Sequence, residues 1–305
     1  MFVNDPPVEI TDSLVMLGTN LYPMYLARNG EKSILFEGGI GPMGPLVSQQ
    51  IAALGIAPAS VATIVVPHAH PDHVMAIPAL RRTFPNAAVC ASKVAAGVMG
   101  TERAISFFCK IDQALTAALL EAGTIDESHK PEPLSEMKIP VDTTIGDGDT
   151  VGRFAVIETT GHSDCGLSFH DADAGVLVVS DATPYYFVEA GIWWPCYFTS
   201  YPAYMDSLHR LKGLDAEVLC LGHNTAVKGQ ADIRAFFDGA ISATETYHRR
   251  IVEEIGSGRT ADELAAQLGE DVYARTQLLP VDFFQKNCAL MVKQSMKHAG
   301  LSAKE

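Results

Sequence analysis

The chain has 305 residues, 48% of them hydrophobic and 19% charged, which suits one large domain with a sizeable core and excludes wholesale disorder. Lys and Arg number 22 against 36 Asp and Glu, and the formal charge of -14 disfavours a nucleic-acid partner. No signal-peptide pattern opens the sequence, and no apolar run approaches the ~20 residues that span a bilayer. The six cysteines contain no C-x-x-C pair. We interpret them as mostly free thiols and expect a cytoplasmic protein without a membrane partner.

The first half of the chain alternates strand-like and helix-like segments. Residues 63–66 are a β-branched run short enough to be a buried strand, and 124–140 is a polar connection with three prolines. Further strands are predicted at 13–17, 24–28, 33–37 and 88–91, and helices at 44–54, 74–84 and 103–122.

The second half begins with strands and ends with helices. Strands are predicted at 150–151, 154–159, 166–170, 176–180 and 218–221, and a helix at 201–211. Beyond 228 the pattern becomes helical, with segments at 231–255, 260–268 and 283–298 separated by Gly and Pro. We therefore predict a mixed α/β domain over 1–230 and a helical C-terminal segment over 231–305.

The string HAHPDH places four metal-ligating side chains, His68, His70, Asp72 and His73, directly after the predicted strand 63–66. In an extended segment, residues 68, 70 and 72 face one way and residue 73 faces the other, so one short loop can serve two adjacent metals. Imidazole and carboxylate suit Zn, Fe or Mn, and the lack of nearby Cys disfavours a Cys-rich structural zinc site. The alternative is a polar loop whose histidines cap a helix.

Three further polar residues follow strand-like segments at the points where the strands end. His162 lies in TTGHSDCG, Asp181 in VLVVSDA and His223 in VLCLGHN. Each alone would be interpreted as a turn residue or a hydrogen-bonded polar group. Together with the histidine-rich string they make a set of seven candidate ligands.

The order H-x-H-x-D-H, then His, then Asp, then His resembles the dinuclear members of the metallo-β-lactamase superfamily over roughly residues 8–230. The resemblance implies an αββα sandwich with the metals at one edge, covered by the C-terminal helices. It also implies a first metal held by His68, His70 and His162, a second held by Asp72, His73 and His223, and Asp181 bridging both.

A narrower resemblance is to the quinolone-signal response group of that superfamily, thioesterases that act on 2-aminobenzoylacetyl-CoA. It rests on LFEGGI around Glu37, GHSD at 161–164, a Trp-containing stretch before 204–211, and the helical C-terminal segment. Glu37 replaces a commoner Asp, and we interpret it as a hydrogen-bond acceptor behind the ligands. Ser180 in place of glycine, and LGHN in place of P-G-H, depart from the usual pattern.

These features predict a dinuclear hydrolase with two divalent metal ions, zinc first and iron or manganese as alternatives. A metal-bridging hydroxide would attack an acyl thioester or related ester, and Asp72 would both ligate metal and orient the nucleophile. A thiolate leaves without strong acid help, whereas an alkoxide needs assistance. The alternatives are a lactonase of the acyl homoserine lactone type and a metal-containing regulatory or binding protein with little turnover.

An aromatic cluster follows Asp181 and contains both tryptophans of the chain. It is predicted either to form a wall for an acyl or aryl group of a small-molecule substrate or to pack beneath the C-terminal helices. Those helices are also the surface through which a homodimer would form. The cluster comprises Tyr185, Tyr186, Phe187, Trp193, Trp194 and Phe198.

Overall fold

The computed structural model describes residues 1–301, which form two seven-stranded sheets, a two-stranded hairpin and eight α-helices. The strands are β1 (Phe2–Val3), β2 (Val8–Thr11), β3 (Leu14–Gly18), β4 (Pro23–Asn29), β5 (Lys32–Phe36), β6 (Val61–Val66), β7 (Ala88–Ala91), β8 (Thr143–Thr144), β9 (Thr150–Val151), β10 (Phe154–Glu158), β11 (Leu167–Asp171), β12 (Val176–Ser180), β13 (Tyr185–Phe187), β14 (Ile192–Trp194), β15 (Val218–Leu221) and β16 (Ala226–Lys228). The helices are α1 (Met43–Ala53), α2 (Ile77–Thr83), α3 (Lys93–Met99), α4 (Glu102–Glu121), α5 (Tyr201–Lys212), α6 (Gln230–Gly256), α7 (Ala261–Thr276) and α8 (Val281–His298).

Each sheet joins an antiparallel part to a parallel part. The first sheet has the order β2-β3-β4-β5-β6-β7-β8, antiparallel up to β5 and parallel from β5 to β8. The second has the order β1-β16-β15-β12-β11-β10-β9, in which only β12 and β15 are parallel. Helices supply the parallel crossovers: α1 links β5 to β6, and α5 links β12 to β15.

Alternating side chains fill the space between the sheets and cover their outer faces. Along β3, Leu14 and Met16 join the core between the sheets, whereas Val15 and Leu17 join the core beneath the helices. Across the interior, the ring of Phe36 lies 4.8 Å from Phe154, measured between centroids. The αββα sandwich predicted from the sequence is thereby confirmed, as is the helical C-terminal segment.

Two predicted helices have different bounds in the structure. The helix expected at 74–84 begins at Ile77, because residues 71–73 form a separate 3-10 turn and Pro78 occupies the first turn of α2. The helix expected at 260–268 continues to Thr276. Gly269 lies inside this helix and does not end it, and a Cβ at that position would lie 2.5 Å from Gln285 Cα. Gly269 is therefore a point of close approach between α7 and α8.

The C-terminal helices pack on the sandwich and on one another. Phe236 and Phe237 of α6 and Met291 and Val292 of α8 are buried in the same core as the outer faces of the sheets. Within residues 1–301, no helix is long and apolar enough to cross a membrane. The division into a domain over 1–230 and a segment over 231–305 stays a prediction.

Candidate metal centre

Strand ends at one edge of the sandwich bring the candidate ligands together. The string HAHPDH follows β6 of the first sheet, while the other three ligands follow β10, β12 and β15 of the second. The sequence alone placed all of these residues after strands, and the fold brings the strand ends to one edge. The residues that meet there are His68, His70, Asp72, His73, His162, Asp181 and His223.

Asp181 lies at the centre of this cluster. Its Oδ2 is 3.4 Å from Nε2 of His73, 3.4 Å from Nε2 of His162 and 3.8 Å from Nε2 of His68. Its Oδ1 is 3.4 Å from Nε2 of His223. One carboxylate thus faces four imidazole nitrogens, an arrangement suited to a bridging ligand.

Three overlapping groups in the cluster have ligand atoms within 4.8 Å of one another, close enough to hold a cation. The first and third below match the two ligand sets that the resemblance implied, and their role as ligands stays a prediction. The groups are His68, His70 and His162; His68, His73 and Asp181; and Asp72, His73 and His223.

Two of the candidate ligand histidines are oriented by backbone carbonyls behind them. Nδ1 of His162 donates to the Cys196 carbonyl at 2.8 Å, and Nδ1 of His223 donates to the Leu21 carbonyl at 2.7 Å. A carbonyl only accepts hydrogen bonds, so Nδ1 carries a proton and Nε2 is the nitrogen left to bind a cation. Nε2 of each ring lies 3.4 Å from an oxygen of Asp181, and Nε2 of His162 also lies 2.9 Å from Nδ1 of His70.

Side chains orient two more rings. Nδ1 of His73 lies 2.7 Å from Oε2 of Glu37, and Nδ1 of His68 lies 3.3 Å from the Ser180 hydroxyl. Glu37 is buried and has a φ of +81°, a left-handed conformation that non-glycine residues rarely adopt. This strained residue accepts the hydrogen bond that the sequence analysis expected of it.

Unpartnered nitrogen atoms show that the cluster fits a cation. Within residues 1–301, Nε2 of His68 and Nε2 of His73 are buried and have no hydrogen-bond partner. Buried polar atoms rarely lack partners, because removing them from water without compensation is costly. Imidazole nitrogens and carboxylate oxygens are also the donor types that Zn, Fe and Mn accept in proteins.

The protonation states differ across the cluster. Burial lowers the pKa of His70 to about 3, and burial likewise lowers the pKa values of His68 and His162. These three imidazoles are neutral at pH 7, as ligands must be. Burial also opposes the charged form of His73, but neighbouring carboxylates, Asp72 first, outweigh it and raise the pKa.

A cavity of about 470 Å³ opens directly onto the cluster. One wall is the apolar face of α4, and another is the α7–α8 junction with the start of α8. Among residues 1–301, the cavity lining includes no Lys or Arg, so the cluster supplies its only charged groups. The apolar lining from these two walls comprises Phe107, Phe108, Ile111, Leu115, Leu278, Leu279, Phe283, Phe284 and Leu290.

The aromatic cluster predicted from the sequence is found in two environments, because the β13–β14 hairpin directs alternate side chains to opposite sides. Tyr185 pairs with Trp194 across β13–β14, and both line the cavity together with Phe187 and Phe198. Tyr186 and Trp193 occupy the alternate positions of the same hairpin. Their rings lie 4.7 Å apart, pack near Phe236 of α6 and do not line the cavity. Strand alternation places these two against α6 instead of in the cavity wall.

Sequence reasoning did not identify several residues of the site. Tyr22, on the turn between β3 and β4, lines the cavity, and burial raises the pKa of its phenol. Asn224, with a left-handed φ of +68°, accepts a hydrogen bond from the Tyr185 hydroxyl at 3.2 Å. No spacing pattern links these positions to the histidines. Only the position of Asn224 directly after His223 was a local signal.

Comparisons with known proteins bear on the family and the fold of this chain. A family model described as the metallo-beta-lactamase superfamily matches residues 18–223. A metallo-beta-lactamase family protein from Thermus thermophilus superposes with a TM-score of 0.64 at 21% identity, covering 96% of this chain and 95% of that chain. BJP-1, a subclass B3 metallo-beta-lactamase of Bradyrhizobium japonicum, superposes with a TM-score of 0.57 at 17% identity, covering 84% and 97%. At such identities the two structures show the shared fold alone.

Proposed function

This chain belongs to the metallo-beta-lactamase superfamily, and from that membership we propose that it is a metal-dependent hydrolase of acyl thioesters or related esters. The observation that supports the proposal is the position of the cluster. Four imidazole nitrogens face the carboxylate of Asp181, and within residues 1–301 the cluster, through Asp72 and Asp181, supplies the only acidic groups of a cavity lining that has no Lys or Arg. A hydrolytic centre at the end of a substrate cavity has this arrangement.

The cluster would hold two divalent cations, with zinc first and iron or manganese as alternatives. Bound cations supply a Lewis acid for a carbonyl oxygen and lower the pKa of water towards neutrality. The residues we assign to them are His68, His70 and His162 for one, Asp72, His73 and His223 for the other, and Asp181 between the two.

Asp72 is the ligand with the clearest second task. Its side chain is 25% exposed against 2% for His73, and it lines the cavity. A carboxylate oxygen that faces the cavity accepts a hydrogen bond from the attacking water and sets its direction. We therefore assign Asp72 both metal ligation and the orientation of the nucleophile.

The cavity favours an uncharged, apolar acyl or aryl group. Tyr185, Phe187, Trp194 and Phe198 form one side, α4 forms another, and no Lys or Arg among residues 1–301 is present to pair with an anionic substituent. Thioesters suit this site because a thiolate, with a pKa near ~8.5, leaves without a strong acid. The narrower resemblance to the quinolone-signal response thioesterases points the same way and stays a prediction.

The lactonase alternative uses the same cluster and differs only in the leaving group. A cyclic ester with an apolar acyl chain would fit the same walls, and its alkoxide oxygen would remain attached to the product. A regulatory protein with little turnover would keep the metals and the cavity but release no product.

Elemental analysis of protein purified without added metal, coupled to a hydrolysis screen, tests the proposal. The screen pairs S-octanoyl N-acetylcysteamine, p-nitrophenyl octanoate, an octanoyl homoserine lactone and a phosphodiester. We expect about two metal ions per chain and turnover of the thioester and the ester. Turnover of the lactone alone would favour the lactonase. Metal-loaded protein that leaves all four compounds intact would overturn the hydrolase proposal.

A further inference from the structure

The turn between β3 and β4 is held in one conformation by α1. The Gly18 amide donates to Oε1 of Gln50 at 2.7 Å, and Nε2 of Gln50 donates to the Gly18 carbonyl at 2.8 Å. Gly18 has a φ of +82°, and a Cβ there would lie 2.4 Å from the Tyr22 carbonyl oxygen. The turn therefore requires glycine at its start and is fixed by a buried amide side chain.

The other side of the same turn contacts the loop that carries His223. The Leu21 carbonyl accepts from Nδ1 of His223 at 2.7 Å, and the Asn20 carbonyl accepts from the Asn224 amide at 2.7 Å. These two hydrogen bonds set the turn and the candidate ligand at a fixed separation. A side chain on the turn thus has a defined position relative to the metal cluster.

Tyr22 ends this turn and lines the cavity, with its ring edge-on to His223 at 5.7 Å between centroids. The residue is 6% exposed, and its hydroxyl forms no hydrogen bond with any atom of residues 1–301, although this oxygen is not one of the fully buried polar atoms. The other tyrosine of the cavity, Tyr185, donates to Asn224. Because Tyr22 lines the cavity and its hydroxyl is accessible and has no protein partner, this hydroxyl is a donor that a ligand in the cavity would satisfy.

We propose that Tyr22 is a catalytic residue whose hydroxyl donates a hydrogen bond to the carbonyl oxygen of the substrate. The assignment rests on the proposed function, in which that substrate is a thioester or ester. The carbonyl oxygen is the strong acceptor that both compounds share, because a thioester's leaving atom is sulfur, a weak acceptor. As the carbonyl carbon is attacked, negative charge grows on this oxygen and the hydrogen bond strengthens. The phenol keeps its proton throughout.

The first test is kinetic and uses metal-loaded Tyr22→Phe, which keeps the ring beside His223 and removes only the hydroxyl. We expect kcat to fall by roughly 10- to 100-fold for both S-octanoyl N-acetylcysteamine and p-nitrophenyl octanoate, with metal content unchanged. A fall confined to the oxygen ester would assign the hydroxyl to the leaving group and overturn the proposal. So would kcat values within about twofold of wild type for both substrates.

The second test needs no turnover. Infrared spectra of ¹³C-carbonyl-labelled 2-decanone bound to the metal-free full chain should show a lower carbonyl stretching frequency in the wild type than in Tyr22→Phe. Equal frequencies would overturn the proposal. If the wild type hydrolyses neither substrate, the proposed function fails while this comparison still decides the role of Tyr22.

Tyr201→Phe is the matched control for both measurements. Tyr201 begins α5, stacks on His248 and does not line the cavity. Its loss of a hydroxyl should change neither kcat nor the carbonyl frequency. A change of equal size in this variant would mean that the effect of Tyr22→Phe is not specific, and the proposal would fail.

Discussion

In three candidate ligand rings, Nδ1 forms a hydrogen bond on the side away from Asp181. That hydrogen bond fixes the orientation of the ring, so that Nε2 is the nitrogen directed at Asp181. Carbonyl oxygens set His162 and His223, and Glu37 sets His73. These acceptors lie far from their histidines in sequence, by 34, 202 and 36 residues. The orientation of each candidate ligand ring thus depends on a residue distant in sequence, although the histidine itself was identified from its local sequence.

Asp181→Asn tests the centre of the cluster. Removal of the negative charge that faces four imidazoles should lower bound metal below two per chain and reduce hydrolysis at least about 100-fold. Elemental analysis and thioester turnover measure both effects. Asp164→Asn, an exposed position two residues after His162, is the control and should behave as wild type. Full metal content in Asp181→Asn would contradict the bridging assignment.

Glu37→Gln tests the acceptor behind His73. A neutral amide accepts more weakly than a carboxylate, so the imidazole becomes a poorer ligand, and metal affinity should fall roughly 10- to 100-fold. Competition with a chromophoric chelator measures the affinity. An unchanged dissociation constant for the metal would mean that Glu37 does not support His73 as a ligand and serves only in packing.

Asp112→Asn tests a buried carboxyl beside the site. The Gly41 amide donates to Oδ1 of Asp112 at 2.6 Å, and burial raises the pKa of this carboxyl to about 6. Because the folded state holds the proton more tightly than the unfolded state, the free energy of unfolding falls as pH rises from about 4 to about 6. Between pH 4 and pH 6, the free energy of unfolding of the variant should therefore rise by up to about 3 kcal/mol relative to that of the wild type. Urea unfolding of both metal-free proteins at pH 4 and pH 7 measures it, and a constant difference would contradict the prediction.

At the scale of elements, the segments that follow four strands hold the seven candidate ligands, and one hairpin lines part of the cavity. The β13–β14 hairpin presents alternate aromatic residues to two environments, with Trp194 in the cavity wall and Trp193 against α6. A two-residue period therefore separates cavity-lining residues from residues packed against α6 within a single short element.

Trp193→Ala and Trp194→Ala form a matched pair for this separation. Each deletes a large aromatic side chain and should destabilise the protein by roughly 3 kcal/mol, as chemical denaturation would show. Only Trp194→Ala enlarges the cavity, so it alone should shift the preference among acyl chains of four to twelve carbons, measured as kcat/KM. A shift of equal size in Trp193→Ala would contradict the two-sided hairpin.

The whole molecule combines a net charge of -14 with a cavity whose lining, within residues 1–301, holds no Lys or Arg. The overall negative potential repels anionic substrates from the entrance, and the cavity wall offers no cation outside any bound metal to reverse that effect. If the proposed function holds, selection against anionic acyl groups is thus expected from the whole surface and the cavity together.

Salt dependence tests this selection. For an S-succinyl N-acetylcysteamine substrate, KM should fall several-fold between about 20 mM and about 200 mM NaCl, because salt screens the repulsion. The uncharged S-butyryl compound is the control, and its KM should stay within about twofold. Identical salt dependence for the two substrates would show that the net charge does not govern access.

The sequence by itself determined the local parts of this protein. The β-branched and alternating runs predicted most strands of both sheets, and the strand-end positions of His162, Asp181 and His223 identified residues that the structure does bring together. Such features are legible because strand periodicity and the position of a polar residue at a strand end are short-range patterns. The αββα arrangement followed from the resemblance those residues carry.

Only the tertiary structure decided what surrounds the cluster. Tyr22, Leu21 and Cys196 reach it through hairpin and loop geometry, and the α7–α8 junction reaches it from the far end of the chain. The split of the aromatic cluster depended on a hairpin register that composition does not encode. Contacts between distant segments depend on how whole elements pack, and no local period of a single sequence records that packing.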